Sequence, residues 1–387
     1  MRVLIATPLF PPEIGGPATY VFNLARQLAQ RGAEVLVISF GHTPSLLWER
    51  NENGFERITV PLKMAKGLRH FSFFQQVWQN GQDCDLIYIH DLWSVGLPAR
   101  LANIFLKKPM IVRLGGDALW EAALERGLTQ AILPDYYLGR KTDREDFAKA
   151  LQNFVLRGCH KIVFSSSFLQ DIFLRYRPVA QGQAMVLENP QKIVLNNLGQ
   201  EPSDNQPLVL LFAGRLTKCK NLARLLGAFA ALLKNNPQML LKIAGSGSQM
   251  EELIDLAVRY GLGARLKFLG VLPTAELAKE ISQSWLCVLP SLSEVSPNFA
   301  LECLNLKKPL ILTKHNGLSE NIKNKLILID PLDEQDLYQA IAGLLDSQHY
   351  QAYCQTIANL ELARTWDEVV NEHLKLFEQY VKNNQKN

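Results

Sequence analysis

Short apolar runs alternate along the chain with longer stretches whose apolar positions recur at helical spacing. RVLIAT (2–7), EVLVISF (34–40), LIYIH (86–90), MIVRL (110–114) and KIVFSS (161–166) read as buried strands. Between the first two, GPATYVFNLARQLAQRG carries its apolar residues on one face and ends on Gly32, which predicts a helix closed by a glycine. Strand–helix–strand repetition predicts a parallel sheet wound on both faces. A polar, Asn/Pro-rich stretch, NPQKIVLNNLGQEPSDNQP (189–207), interrupts the alternation and reads as a linker. The pattern restarts with PLVLLFAG (207–214), the helical stretch NLARLLGAFAALLKN, and the runs LLKIAG, LKFLG, WLCVLP, PLILT and LILID. TWDEVVNEHLKLFEQYV (365–381) is one amphipathic helix. The expected fold class is α/β, with two doubly wound Rossmann-like halves.

Length agrees with this division, because 387 residues exceed the usual single domain. The boundaries expected are an N-terminal domain over 1–188, a linker over 189–206 and a C-terminal domain over 207–365. Hydrophobic residues at 48% and charged residues at 20% describe an ordinary soluble chain. No apolar run is long enough to cross a bilayer, and MRVLIATPLFPP reads as a first buried strand rather than a signal peptide, so a cytoplasmic location is expected. The six cysteines are scattered, with no CxxC pair and no His at ligand spacing, so structural thiols and no metal are expected. The net charge of +4 lies wholly in residues 1–190, which carry 21 Lys+Arg and 17 Asp+Glu. That excess is too weak for nucleic acid but suits an anionic surface. Within it, LKMAKGLRHFSFFQQVWQ (62–79) mixes Lys63, Lys66, Arg69 and His70 with Phe71, Phe73, Phe74 and Trp78. It reads either as a contact with anionic membrane or as a helix packed on its own domain.

In open α/β sheets ligands collect where strands end, so the loops there carry the candidate chemistry. After the first strand, PLFPPEIGGPATY places Gly15 and Gly16 before Pro17, which suits the first helical position. The pattern is not GxGxxG, and no acidic residue ends the second strand, which lowers the odds of a dinucleotide site. In LFAGRLTKCKN, Gly214 ends a strand and Arg215 and Lys220 emerge before a helix. Two cations beside a helix start form a receptor for a diphosphate, against the plainer reading of a solvated basic turn. IAGSGS brings Gly245, Ser246 and Gly247, whose amides suit an anion or a hydroxyl.

The stretch SEVSPNFALE holds two carboxylates, Glu294 in the loop and Glu302 in the second turn of the next helix. Ser296 reads as the cap and Pro297 as the first helical residue. A helix start at Pro297, Asn298 and Phe299 can meet a phosphate. Glu302 can accept hydrogen bonds from a vicinal diol, and Glu294 can face a sugar beyond the phosphates. Solvent-facing charges are the alternative, but the apolar surroundings of Glu302 make an unpaired carboxylate costly there.

At this point the chain resembles the retaining glycosyltransferases of family 4, which have the GT-B fold of two Rossmann-like domains facing across a cleft. The resemblance rests on GGPATYVFNLARQLAQRG, IYIHDLWSVGLPA, FAGRLTKCKN, IAGSGS, FLGVLPTAEL and SEVSPNFALECLNLKKPLILT, in the family's order and spacing. It implies that Arg215 and Lys220 hold the donor diphosphate, that Glu302 binds the ribose and that Glu294 faces the transferred sugar. Gly15 and Gly16 would line the cleft near phosphates and acceptor, and Gly270 and Val271 would pass near the base. The C-terminal helix, about 366–387, would cross back onto the first domain. No cofactor is implied; a nucleoside diphosphate sugar is the co-substrate, and a cell-surface glycan or lipid-linked hydroxyl the acceptor.

Three departures stand out. Many members carry a His on the loop after the strand corresponding to MIVRL, whereas RLGGDALWE leaves Asp117 and the amides of Gly115 and Gly116. His90 of IHD is present, as an active-site group or a structural imidazole. The glycine pair common after the PLILT strand is here Asn316-Gly317. With no carboxylate placed as a nucleophile, front-face attack with retention is expected, and the cations make a metal unnecessary. A non-catalytic nucleotide-sugar binder, and an epimerase or glycan phosphorylase on the same fold, stay open as alternatives.

Overall fold

The computed structural model describes residues 1–13, 15–50, 52–191, 207–362 and 364–384. They fall into two compact units, one comprising Met1–Gly116, Arg140–Glu188 and Trp366–Asn387, the other Asp117–Gly139 and Asn189–Thr365.

The first unit is built on β1 (Arg2–Thr7), β2 (Glu34–Gly41), β3 (Leu47–Arg50), β4 (Glu56–Pro61), β5 (Leu86–Ile89), β6 (Met110–Leu114), β7 (Lys161–Phe164) and β8 (Ala184–Val186). They form one sheet in the order β3-β4-β2-β1-β5-β6-β7-β8. Only the β3–β4 pair is antiparallel. The second unit holds β9 (Val209–Ala213), β10 (Leu240–Ala244), β11 (Leu266–Gly270), β12 (Leu286–Leu289), β13 (Leu310–Thr313) and β14 (Ile327–Ile329). Their order is β11-β10-β9-β12-β13-β14, parallel throughout.

The unbroken apolar runs of the sequence are these central strands. Helices cover both faces, so neither can be polar: Val3, Leu4, Ile5 and Ala6 of β1 and Leu210, Leu211 and Phe212 of β9 are fully buried. In each sheet the strand order reverses beside the first strand, at β1/β5 and at β9/β12. Loops leaving the carboxyl ends part there in opposite directions and open a crevice within the unit.

β3, β4 and β8 were not legible as apolar runs. β3 and β8 lie at the sheet edges, and β4, reading ERITVP, buries Arg57 in place of an aliphatic residue. The basic and aromatic stretch 62–79 forms helix Lys66–Gly81, which buries Phe73 and Val77 and exposes Leu68, Phe71 and Trp78. Helix Trp366–Asn384 packs in the first unit through Val369, Val370, Leu376 and Phe377. It is also pinned by polar contacts. His373 Nδ1 donates to the Val369 carbonyl at 2.6 Å, so its Nε2 accepts from the Tyr88 hydroxyl at 2.9 Å.

The sequence reading placed all of 1–188 in the first domain, yet Asp117–Gly139 groups with the second unit. The reason is polar tethering: the Lys218 amide donates to Glu125 at 2.8 Å, and the Leu133 amide to Ser293 Oγ at 3.0 Å. Most of the expected linker, 192–206, lies outside the described residues. Among the described residues no helix is long and apolar enough to cross a membrane.

Candidate functional site

In the second unit the βα loops after β9, β10 and β11 stack so closely that glycine is required. Gly245 follows β10 with φ +131°, and a Cβ there would lie 1.9 Å from the Gly214 carbonyl oxygen. A Cβ on Gly247 would lie 2.3 Å from the Leu216 oxygen. The Gly245 N–H donates to the Gly270 carbonyl at 2.6 Å. The amide read from the sequence as a donor for ligand is therefore occupied, and Gly245 acts by permitting close approach. Gly270 sits at φ +68° in open space, so its backbone conformation alone favours glycine; Val271 beside it is exposed.

This stacking sets the turn Gly214–Asn221. Asn221 adopts the left-handed conformation at φ 57°, and its Nδ2 donates to the carbonyls of Pro290 at 3.1 Å and Pro331 at 2.8 Å. The turn is thereby fixed to the loop after β12, and Lys220 just before it reaches Glu294. Lys220 Nζ lies 2.6 Å from Glu294 Oε2, with side chains 15% and 9% exposed. Ser291 Oγ donates to the same oxygen at 2.8 Å. Arg215 is far more open, 63% exposed, and its Nη2 lies 3.0 Å from Glu121 Oε2.

Both cations hold their protons firmly. Burial alone would lower the Lys220 pKa, but Glu294 and Cys219 outweigh it and the net shift is upward. Glu121 raises that of Arg215, against a smaller effect of burial. The pairs do not exhaust the donors, since an ammonium has three N–H bonds and a guanidinium five. The carboxylates hold the cations in place and leave donors for an anion.

Glu294 is fixed by its backbone as well. Its N–H donates to the His315 carbonyl at 2.8 Å, and the Gly317 N–H donates to its carbonyl at 2.9 Å. Asn316 is buried and makes two local bonds, Nδ2 to the Thr313 carbonyl at 2.7 Å and Oδ1 from the Leu318 amide at 3.0 Å. The Asn316-Gly317 departure therefore builds the turn on which Glu294 rests.

Helix Asn298–Asn305 starts one residue later than expected. Pro297 occupies the cap position with φ −77° and ψ 64°, and no side chain caps the helix. Ser296 does not cap it, because the Asn298 N–H turns back to the Ser296 carbonyl at 2.8 Å. A helix start without a side-chain cap keeps donors and positive dipole for an anion. Asn298 Oδ1 accepts from Asn189 at 2.8 Å, and Phe299 is buried. The Glu302 carboxyl has no hydrogen-bond partner among the described residues, and burial pushes it up to about 7.

Asp117 belongs to the same unit but not as a free acid. Oδ1 caps helix Ala118–Glu125 by accepting from the Leu119 and Trp120 amides, each at 3.0 Å, and Oδ2 accepts from the Tyr137 hydroxyl. With both oxygens engaged and the residue buried, it positions the helix that carries Glu121 and Glu125. Those two were missed in the sequence. Their four-residue spacing in ALWEAALE, which puts both on one helical face, was the available signal. Glu125 accepts from the Lys218 amide at 2.8 Å and from Ser248 Oγ at 2.5 Å.

The structure thus brings Arg215, Lys220 and Glu294 within electrostatic reach of one another, with Gly214, Gly245 and the helix start in the same set of loops. Gly15, Gly16 and His90 belong to the first unit. Gly15 is the extended cap residue of helix Gly16–Gln30, which no side chain caps, and Pro17 is its second residue. His90 directly follows β5. Its Nε2 is buried without a hydrogen-bond partner among the described residues, and burial, with Arg113 and His373, holds the imidazole well below its usual pKa and so neutral. Among the described residues no group of three or more His, Cys, Asp or Glu could hold a metal ion.

The sequence matches the family described as Glycosyltransferase Family 4 over residues 14–190 and that described as Glycosyl transferases group 1 over 196–360. It is 24% identical to an uncharacterized glycosyltransferase of Methanocaldococcus jannaschii, over 97% of this chain and 98% of the relative. It is also 24% identical to a glycogen synthase of Mycobacterium tuberculosis, over 89% and 86%. Among solved structures, Anabaena HepE in complex with UDP and glucose superposes with a TM-score of 0.73 at 18% identity, covering 98% of this chain and all of that one, 100%.

Proposed function

The chain belongs to glycosyltransferase family 4 and is a transferase of the GT-B type; from that premise we propose that it moves a sugar, with retention, from a nucleoside diphosphate sugar to a hydroxyl of a glycan or lipid-linked acceptor. The observation that carries the reading is the buried Lys220–Glu294 pair beside an uncapped helix start, with the unpartnered acid Glu302 on that helix. A cation and free amides suit a diphosphate, and an acid awaiting hydroxyl donors suits the ribose. HepE was captured with UDP, which supports uridine nucleotides as the first donors to test; guanosine diphosphate mannose is the next to try.

In this reading Lys220, Arg215 and the helix start at Pro297 stabilise the charge that develops on the leaving diphosphate. The acceptor oxygen bonds to the anomeric carbon on the face from which the phosphate oxygen departs, and that oxygen takes the acceptor proton. Two fixed cations supply the charge neutralisation, so no metal takes part. Glu294, turned toward Lys220, orients the cation and faces the sugar. Gly15 and Gly16 leave a helix start open to donor or acceptor, and neutral His90 offers a hydrogen bond to an acceptor hydroxyl. The setting proposed is polysaccharide or glycoconjugate synthesis at the cytoplasmic membrane face.

One observation favours a second reading, a nucleotide-sugar binder without turnover: Arg215 is already held by Glu121. Thermal-shift screening of UDP, GDP and uridine, followed by turnover of the stabilising donor and NMR of the product linkage, tests both. A product with the donor's anomeric configuration is expected. An inverted product, or nucleotide binding without any transfer or donor hydrolysis, would overturn the proposal.

A further inference from the structure

Strand β5 runs beside β1, and the His90 amide donates to the Ala6 carbonyl at 2.9 Å. The loop after β5 therefore opens where the strand order of the first unit reverses. One carboxylate builds the turn that follows. Asp91 Oδ1 accepts from the amides of Trp93, Val95 and Gly96, each at 3.0 Å. Its Oδ2 accepts from the Ser94 amide at 3.2 Å and from the Ser94 hydroxyl. Helix Gly96–Leu106 starts so tightly against this turn that a Cβ on Gly96 would lie 2.3 Å from the Asp91 carbonyl oxygen. Leu92 and Val95 are buried and anchor the turn on both sides, whereas Trp93 between them is 41% exposed.

Among the described residues of the loops leaving β1, β2, β4, β5, β6 and β7, Trp93 is the one exposed Phe, Tyr or Trp. Its backbone is fixed in advance, so a ligand that covers the indole has little left to order. His90 opens the same loop, and its Nε2 is buried without a hydrogen-bond partner among the described residues. A flat apolar ring with a lone polar ring nitrogen in the same loop suits a sugar. One face of a pyranose carries only C–H groups and packs on an aromatic ring, while the hydroxyls at its rim call for hydrogen bonds. An acyl chain would use the indole and leave the imidazole unanswered.

We propose that Trp93 determines acceptor specificity, as a platform on which the sugar ring of a glycan acceptor stacks. This rests on the transferase reading and narrows the acceptor to one that presents a pyranose. Saturation-transfer NMR of the full chain with the octyl glycosides of glucose, galactose and mannose tests it, because each probe carries both a ring and a chain. Saturation of ring C–H protons in at least one probe is expected, with affinity about 10-fold weaker in Trp93→Ala and largely kept in Trp93→Phe. In turnover, the Trp93→Ala loss should fall mainly on acceptor KM rather than on kcat, and the Tm should stay unchanged because the side chain is exposed. Saturation confined to the octyl chain overturns the proposal, as does ring saturation equal in wild type and Trp93→Ala. Ring binding lost in Trp93→Ala supports the platform even where no transfer is found, an outcome that would count against the transferase reading alone.

Discussion

The two units place their candidate groups at equivalent points, the carboxyl edge of a parallel sheet where the strand order reverses, and equip them differently. In the second unit the charges arrive already paired, Lys220 on Glu294 and Arg215 on Glu121. In the first unit the strand-one loop offers a bare helix start at Gly15, and the neighbouring strand offers an imidazole that burial keeps neutral. Shared topology fixes where a ligand can bind, and local charge fixes what kind. The second edge adds fixed cations and acids to its bare helix start, and the first adds a neutral imidazole to its own.

The strongest way to break this contrast is Lys220→Met. Transfer should drop by about 10²–10³-fold, the scale for losing one charge-stabilising donor. Stability should fall by about 3 kcal/mol, because Glu294 is left buried and unpaired. Pairing it with Glu294→Gln should restore much of the Tm and none of the transfer, which separates the charge needed for chemistry from the charge needed for folding. Equal activity in wild type and variant would erase the distinction between the edges.

Glu302→Gln comes next, with donor binding weaker by about 10-fold, the scale of hydrogen bonds to a charged group. The carboxyl titrates near 7 when folded and near 4.3 when unfolded, as a rough reference. A raised acid pKa means that Glu302 weakens the fold as pH climbs between those values, with the full cost above 7. The Tm of the variant relative to wild type should therefore rise from pH 5 to pH 8. Donor affinity in wild type should strengthen as pH passes 7, and in the variant that dependence should vanish.

His90→Gln should lower acceptor-dependent kcat/KM by about 3- to 10-fold, the scale of one hydrogen bond, with UDP affinity unchanged. Its folded pKa is depressed, so whatever stability it contributes is present above its unfolded pKa and lost as pH falls through the acid range. No imidazole step should appear in the activity profile above neutrality. The smallest effect is expected from Glu121→Gln. The Arg215 pair is largely solvent-exposed, so stability should change by no more than about 0.5 kcal/mol. Donor affinity should rise slightly as Arg215 is released, which titration calorimetry would register.

Much of this was legible in the sequence because burial on two faces writes strands as plain apolar runs. β1, β2, β5, β6 and β7, and all of β9 to β14, were readable that way. β3 and β4 were not, since a strand near a sheet edge needs no such run and β4 spends a core position on Arg57. Arg215, Lys220, Glu294 and Glu302 stood out as charges placed just after strands. Asp117 did not declare itself as a cap, because the same Asp serves either role until its partners are known. The hold of Glu121 on Arg215 spans 94 positions and leaves no local trace.

Calorimetric titration of UDP and GDP into wild type and into Arg215→Gln/Lys220→Met tests the diphosphate seat most directly. Binding of at least one nucleotide to wild type, weakened about 100-fold in the double variant with thermal unfolding still cooperative, is the expected result. Nucleotide affinity unaltered by removing both cations would contradict the placement of the diphosphate on the second unit's charged loops.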